Sequence, residues 1–561
     1  MDQVTTLQKF IDFANIFKAF IGCTYLTIPF AFYQSGIGLG IIMLLIIGWL
    51  NDYCCVQIVK CKDIIVARLI EQFDNKYKSG NLLEPEAELV RCGHLKDKLE
   101  DRITLGHIAK YAFGKKGQWI VTICLLISQF GFCTGYFVFV GNTLMELIYN
   151  LNSNHSDTSL NSSSITYPIF NIKKDHFLIF MLLVPLPIFI LFSLLRTVRN
   201  MGWISIIANS AIAFGYFSIV GLLINHFSKS EDFELFNFQS VAVIFGILTA
   251  GFEGIGTVIP IETSMIGNRH NFSRYLHVTL FLVVCVFGSF GILGHLRYGT
   301  NTKQIILQNL PYSTFVNIIN LILIFSVVCT YPLQMFPVVE IVEFLFFRKR
   351  SAEFVEDRIQ ILSSNAVNEQ KSDLETIDDE LLNELSGKES DDDDEREVKR
   401  KSLRRFKKSV DKPAPNYGAV DNTNASVLFE GTDTNLNENM KSTLESVYTK
   451  KQLRMIRVLN TTNTSAPTWK RNIIRIILVL LQLSLALVMR NNFAYLSAII
   501  GAVGSSFLCY ILPAATHLKL TRETDGRLYC KILDVIIVIF GIIGSVASLV
   551  VTIVQMVRKD F

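Results

Sequence analysis

The sequence predicts an all-α, polytopic membrane protein with about eleven transmembrane helices, two of them broken. Of the 561 residues, 50% are hydrophobic and the mean hydropathy is +0.38, which excludes an ordinary soluble protein. Apolar runs of about 20 residues recur along the chain, and this is the length at which a helix crosses a bilayer. Glycine, threonine and proline interrupt the first and sixth of these runs at membrane depth.

The apolar runs, taken in order, give the expected spans. They lie near residues 11–33, 36–59, 118–148, 176–195, 202–226, 239–263, 275–296, 314–346, 471–489, 493–517 and 532–556. Lys and Arg are concentrated in alternate loops, above all between Lys60 and Gln118 and between Phe347 and Arg475. By the positive-inside rule, this places the N-terminus in the cytosol and, after an odd number of spans, the C-terminus on the luminal or extracellular side.

Two polar loops are expected in the first half of the chain. Residues 60–117 form a predicted cytosolic loop, whose last part, 103–117, has the apolar spacing of a short helix. Residues 149–175 form a predicted luminal or extracellular loop. This loop contains two acceptor sequons, so we expect glycosylation at Asn154 and Asn161.

A third polar segment, 348–470, divides the chain into its expected domains. It combines low hydrophobicity with acidic and basic blocks, which is typical of disorder. We expect a disordered cytosolic loop there, which could bind regulatory proteins. Spans one to eight would then occupy 1–347, and spans nine to eleven would occupy 471–561.

The two interrupted spans predict a binding site inside the membrane. The first interruption lies within Ile21–Pro29 and the sixth within Gly251–Gly256. Unwound backbone at this depth is tolerated only where protein, water or a ligand satisfies its amide and carbonyl groups. Paired interruptions of this kind indicate a secondary transporter built from inverted repeats, with alternating access to a site at the breaks.

Glu253 lies in the middle of the sixth run, where a carboxylate costs about 3 kcal/mol even on the lenient insertion scale. Such a group usually faces a cavity, a partner or a pathway. Two roles remain open for it. Glu253 could bind and release the proton that drives transport, or it could brace the gap between the two half-helices through neighbours such as Thr257.

Four strings of residues resemble the amino acid/auxin permease family, and within it the proton-assisted and fungal-type vacuolar amino acid transporters. They are Phe252-Glu-Gly-Ile-Gly-Thr-Val-Ile-Pro-Ile-Glu262, Gln129-Phe-Gly-Phe-Cys-Thr-Gly-Tyr136, Tyr331-Pro-Leu-Gln-Met-Phe-Pro-Val-Val-Glu340 and the weaker Ile21–Phe32. The resemblance covers nearly all of the membrane portion. It implies a LeuT-like fold, with a five-plus-five inverted repeat and an eleventh span, and a role in amino acid transport.

A zwitterionic amino acid needs donors for its carboxylate, acceptors for its ammonium group and a shaped cavity for its side chain. Backbone amides at the start of a half-helix are suitable donors. The residues expected to bind the substrate are Gly22, Cys23, Thr24, Tyr136, Phe252 and Gly254. Thr24 stands where the family usually has a second glycine, and this β-branched residue predicts a difference in pocket size or substrate choice.

The expected function is therefore secondary transport of amino acids, with small neutral ones favoured, coupled to protons and needing no cofactor or metal. Sodium is the alternative coupling ion, with Ser326 and Thr330 as the candidate hydroxyl ligands, although such hydroxyls commonly bond within their own helix. A second alternative is a sensor that binds an amino acid without moving it and signals through 348–470. No motif of an enzyme or of a nucleic-acid-binding protein is evident, and the expected location is a vacuolar, lysosomal or plasma membrane.

Overall fold

The structure is a computed structural model. It describes residues 5–78, 103–153, 166–167, 172–195, 202–225, 227, 230, 232–265, 267–347, 467–522 and 528–560. The chain forms two packing units, Met1–Val342 with Trp469–Phe561, and Glu343–Thr468. Nearly all of the expected disordered loop lies outside the described residues, as do Asn154 and Asn161.

The predicted spans are confirmed in number and order. Within the described ranges, ten helices are long and apolar enough to cross a membrane, and a pair bent by 48°, Gln8–Ala19 and Cys23–Ser35, brings the number to eleven. The all-α class is confirmed as well. In the part of the chain that the structure describes, the strands are limited to Thr166–Tyr167 and Ile172–Lys173, which pair antiparallel between spans three and four.

Spans one to five comprise the helices Thr6–Ala19 and Ile28–Ser35 joined by the 3₁₀ turn Cys23–Thr27, then Ile37–Lys78, Leu105–Ser153, Lys174–Leu183 followed by Leu186–Ser193, and Gly202–Asn225. Spans six to eight comprise Val241–Gly251 followed by Ile255–Ser264, then Phe272–Tyr298 and Thr314–Phe347. Spans nine to eleven comprise Thr468–Val488, the composite helix from Phe493 to Leu520, and Leu528–Asp560. Short 3₁₀ turns lie at Arg269–Asn271, Gly299–Asn301 and Ile306–Asn309.

The helix of span two continues well beyond the apolar run that predicts it. It ends at Lys78 rather than near residue 59, so part of the expected loop 60–117 is helical. Ile65 and Leu69 are buried and lie one turn apart, and they extend the packed face of the helix into this polar stretch. Before span three, Gly114 has φ 69° and separates the expected short helix from the transmembrane one.

Span ten contains a stretch of π-helix that the apolar pattern does not predict. Gly501–Ser505 and Phe507–Ile511 have π-helical hydrogen bonding between the flanking α-helices Phe493–Ile500 and Leu512–Leu520. π-Helical turns are rare and occur frequently at functional sites. Here the wider turn carries Ser505, which contacts the break of span six.

The first half of span six, span ten and span eleven cross at very short range. A Cβ atom built on Gly501 would collide with the backbone carbonyl of Gly246, and one on Gly246 would lie 2.5 Å from the Ala498 carbonyl oxygen. From span eleven, the Ser545 hydroxyl donates a hydrogen bond to the carbonyl of Ala502. Small residues at the crossing allow the backbones to approach. The three segments therefore fix the position of the helix that leads into the break.

Gly501→Ala should destabilise this crossing. The added methyl group meets the Gly246 backbone, which cannot rotate away, so we expect a loss of about 1–3 kcal/mol from overpacking. Thermal unfolding of the purified protein in detergent measures the effect. Gly221→Ala is the matched control, because Gly221 lies in the helix of span five and a Cβ there meets nothing within 4 Å. Equal melting temperatures for the two variants would contradict the role assigned to the crossing.

Candidate functional site

The breaks of spans one and six lie directly against each other. A Cβ atom built on Gly254 would stand 2.6 Å from the ring of Phe20 and 2.9 Å from the carbonyl oxygen of Ala19. Ala19 is the last residue of the first half of span one, and Gly254 precedes the second half of span six. The expectation of two interruptions is confirmed, and glycine at position 254 permits their contact.

The break in span one turns the chain through an extended residue into a short 3₁₀ helix. Gly22 has φ −122° and ψ −178°, and the turn Cys23–Thr27 that follows is completely buried. Pro29 stands at the start of the next α-helix, where its missing N–H costs no hydrogen bond. The first amides of a helical segment have no partner within it. Gly22, Cys23 and Thr24 therefore lie where the sequence places carboxylate donors.

Tyr136, from span three, approaches the same break. Its side chain is buried, within range of an electrostatic interaction with Cys23 and next to Gln334 of span eight. The structure thus brings together Cys23 and Tyr136, two of the predicted substrate ligands that are more than a hundred residues apart in the chain. Tyr25, two residues after Cys23 in the 3₁₀ turn, packs edge-on against Phe290 of span seven with ring centroids 5.3 Å apart.

Phe252 contacts spans two and seven at the break of span six. Its side chain is fully buried and packs edge-on against Phe287 of span seven, with ring centroids 5.1 Å apart. Its backbone carbonyl accepts a hydrogen bond of 2.8 Å from the side-chain amide of Asn51 in span two. The amide oxygen of Asn51 in turn accepts one of 3.2 Å from the thiol of Cys55. Asn51 thereby caps the first half of span six, a contact that sequence reasoning missed.

Glu253 faces span ten. The Ser505 hydroxyl of the π-helical stretch donates a hydrogen bond to its carboxylate, and the buried Ser128 hydroxyl of span three faces the same group. Gly504 brings Ser128 within reach, because a Cβ at that position would collide with the Ser128 hydroxyl. Neither serine was among the predicted site residues. The signal for Ser505 was the run Gly501-Ala-Val-Gly-Ser505 inside an apolar span.

The hydroxyl groups of the two candidate sodium ligands donate hydrogen bonds to backbone carbonyls of the helices. Ser326 donates to the carbonyl oxygen of Ala208 in span five at 2.6 Å, and Thr330 donates to the carbonyl oxygen of Ser326 at 2.8 Å. This is the ordinary bonding of serine and threonine in membrane helices. Ser326 therefore contributes a packing contact between spans five and eight, whereas Thr330 bonds within span eight.

A buried ion pair closes the second half of span six. The ammonium group of Lys62, which is 0% exposed, lies 2.5 Å from the Glu262 carboxylate and 3.0 Å from the Thr263 hydroxyl. A buried lysine persists when its charge is matched and hydrogen-bonded in this way. The pair joins span two to span six roughly two turns beyond the break.

Comparison with known proteins agrees with this architecture. The family model described as transmembrane amino acid transporter protein matches residues 7–81 and 87–554 of the chain. The match covers both broken spans and all the residues discussed above. It confirms the family resemblance seen in the sequence.

Individual relatives are distant but consistent. The chain is 26% identical to the amino acid transporter AVT3B of Arabidopsis thaliana over 343 residues, which are 61% of this chain and 72% of the relative. It is 26% identical to vacuolar amino acid transporter 4 of Saccharomyces cerevisiae over 365 residues, 63% of this chain and 42% of the relative. It is 22% identical to vacuolar amino acid transporter 3 of Schizosaccharomyces pombe, over 58% of this chain and 42% of the relative.

Asn51→Leu should weaken the structure around the break. Leucine has a similar volume but leaves the buried carbonyl of Phe252 without its 2.8 Å partner, which costs about 1–3 kcal/mol. Thermal unfolding in detergent provides the measurement. Asn301→Leu is the control, since Asn301 is exposed at the end of span seven. A stability loss no larger than that of the control would show that Asn51 does not support the break.

Proposed function

This chain belongs to the transmembrane amino acid transporter family, and we propose that it carries small neutral amino acids by alternating access, driven by protons that bind to Glu253. The observation that carries the proposal is the position of this carboxylate. It lies in the break of span six, one residue from the glycine that contacts span one, and is hydrogen-bonded to span ten. A change in its protonation therefore acts on three elements that meet at the site.

The hydrogen-bond chemistry of Glu253 supports coupling. An ionised carboxylate only accepts hydrogen bonds, whereas a protonated one also donates. With the proton bound, the bond from Ser505 can reverse, and the negative charge next to the substrate site is removed. Substrate and proton thus influence each other's binding through one side chain, which is the requirement for coupled transport.

The geometry of the broken spans supports an amino acid as the substrate. The start of the 3₁₀ turn at Cys23 presents backbone donors for a carboxylate, and the end of the first half of span six presents carbonyl acceptors for an ammonium group. The Phe252 carbonyl also accepts from Asn51, and the Ala250 carbonyl accepts from the Glu253 amide, so an ammonium group would share these acceptors. Thr24 and the bulky rings of Phe20 and Tyr136 leave limited space, which favours a small side chain.

The names of the relatives support a vacuolar membrane as the location. The charge distribution supports a cytosolic N-terminus, a C-terminus in the lumen and a cytosolic loop at 348–470 that regulatory proteins could bind. In this orientation the loop with Asn154 and Asn161 lies in the lumen, where these sequons can be glycosylated. The breaks lie five spans apart, which is the spacing of a LeuT-like five-plus-five repeat.

Glu253→Gln should abolish accumulation driven by a proton gradient while leaving exchange of substrate intact, because glutamine keeps the size and polarity of the side chain but binds no proton. The measurement is uptake of radiolabelled neutral amino acids into proteoliposomes under an imposed pH gradient, with and without sodium. Glu71→Gln, at an exposed position on the long helix of span two, is the control.

Three other results would count against the proposal. Uptake that requires sodium and does not change with pH would show that transport is coupled to sodium instead of protons. Gradient-driven accumulation that persists in Glu253→Gln would remove Glu253 from the cycle. Substrate binding without flux in the unmodified protein would favour the sensor function.

Ser505→Ala should lower the initial rate of transport about tenfold or more, since a hydrogen bond to a charged group contributes about 1.5–3 kcal/mol. Ser506→Ala is the matched control from the same stretch of span ten. The Ser506 hydroxyl donates to the Ala502 carbonyl at 2.7 Å instead of to Glu253. If both variants transport equally well, the contact between Ser505 and Glu253 has no part in the cycle.

A further inference from the structure

A second group of titratable side chains is buried where spans two, ten and eleven meet. The imidazole Nδ1 of His517, in span ten, lies 2.5 Å from the Asp534 carboxylate of span eleven. The hydroxyl of Tyr53, in span two, donates a hydrogen bond of 3.2 Å to the other oxygen of Asp534. The Asp534 side chain is 0% exposed and that of His517 is 11% exposed. We call these three residues the His517 cluster.

The composition of the His517 cluster is unusual for a structural ion pair. A fully buried carboxylate is normally matched by Arg or Lys, whose charge is permanent. Here the hydrogen-bond partners of Asp534 are a histidine and a tyrosine, and histidine is the side chain that changes charge between pH 5 and 8. The net charge of the cluster therefore depends on whether His517 carries a proton.

The basic group that pairs with Asp534 is the imidazole of His517. Lys531, three residues before Asp534, and Lys519, two residues after His517, are the cations nearest in sequence, and Lys519 lies over the ring of Phe113. Cys54 and Cys61 from span two lie close enough to interact with Asp534. Cys530, one turn earlier in span eleven, lies close to Tyr53. Lys60, at an exposed position of span two, interacts with Cys61, and two further cations of this span bond to other groups. Lys62 is paired with Glu262. Arg68 donates to the Leu520 carbonyl at 2.7 Å.

The His517 cluster and Glu253 are linked through span ten. Ser505, which binds Glu253, and His517 are 517 − 505 = 12 residues apart on this span, a rise of roughly 18 Å. Between them, Cys509 lies close to Glu253 and also to Cys54, which itself lies close to Asp534. A row of polar and titratable groups thus leads from the centre of the bundle to the end at which spans two, six and ten finish. The distribution of Lys and Arg places this end at the cytosolic face.

We propose that the His517 cluster is a second protonation site, which receives the proton released by Glu253 and passes it to water on the cytosolic side. The inference rests on the proposed function, because it requires Glu253 to carry a proton. The proton leaves the O–H bond of the Glu253 carboxyl, crosses by way of the row of polar groups along span ten, and ends in an N–H bond on the His517 imidazole. Asp534 balances the positive charge until the N–H proton is lost to water.

The experiment measures transport at fixed pH on the side of substrate uptake while the pH on the exit side is varied. A protonated acceptor cannot take another proton, so the rate in the unmodified protein should fall several-fold as the exit side is acidified. His517→Gln keeps a hydrogen-bond donor for Asp534 but has no proton to exchange. We expect this variant to transport slowly and to lose the dependence on exit-side pH, while exchange of substrate across equal pH continues.

His277→Gln is the matched control. His277 also pairs with an aspartate of span two, Asp52, at 2.7 Å, but it lies on the outside of the bundle and its side chain is 54% exposed. We expect this variant to retain the full dependence on exit-side pH. Tyr53→Phe removes a single hydroxyl from the His517 cluster, and we expect the midpoint of the pH dependence to move while exchange is unchanged.

The results separate this inference from the proposed function. If transport by the unmodified protein does not respond to the pH gradient, the proposed function and the second protonation site are both wrong. If Glu253→Gln loses gradient-driven accumulation but His517→Gln keeps the exit-side pH dependence, only the second protonation site is overturned. If His517→Gln loses exchange together with accumulation, and Tyr53→Phe leaves the midpoint where it was, the cluster is a structural fastening of spans two, ten and eleven and the inference is wrong.

Discussion

Backbone groups that lose their helical partners at membrane depth must find new ones inside the protein, and the rest of this structure follows from how that requirement is met. The break of span six is capped by Asn51 on one side and contacts the end of the first half of span one on the other. The break of span six is therefore not satisfied by its own helix alone, because the Phe252 carbonyl depends on span two. This part of the site exists only in the assembled bundle.

The same requirement explains why small residues are concentrated around spans six and ten. Gly246, Gly501 and Gly504 bring backbone and hydroxyl groups close enough to bond across helices. The π-helical turn then directs Ser505 at Glu253. A regular α-helix in span ten would have a different register beyond residue 500. The irregular geometry of this span is therefore part of the site, although it lies outside the two breaks.

Two features of the sequence were informative. The length of the apolar runs predicted the eleven spans, and Glu253 with its flanking glycines predicted the break in span six, because a carboxylate at that depth is energetically costly. Partners such as Asn51, Ser128 and Ser505 were not predictable, because an amide or hydroxyl in an apolar helix more often bonds to its own turn, as Thr330 does. The sequence likewise does not determine the orientation of Phe252, because a residue at a helix break can point its ring and its carbonyl in different directions.

The buried pair of Lys62 and Glu262 has a consequence for biosynthesis. The two residues are 200 positions apart, so at about 5–20 residues per second the lysine is made roughly 10–40 s before its partner. During that interval its charge cannot lie in an apolar interior without a counter-ion. The end of span two must therefore remain at the membrane surface, or in the insertion machinery, until span six has been synthesised. The packing of span two is therefore completed only after the synthesis of span six, which carries the proposed transport site.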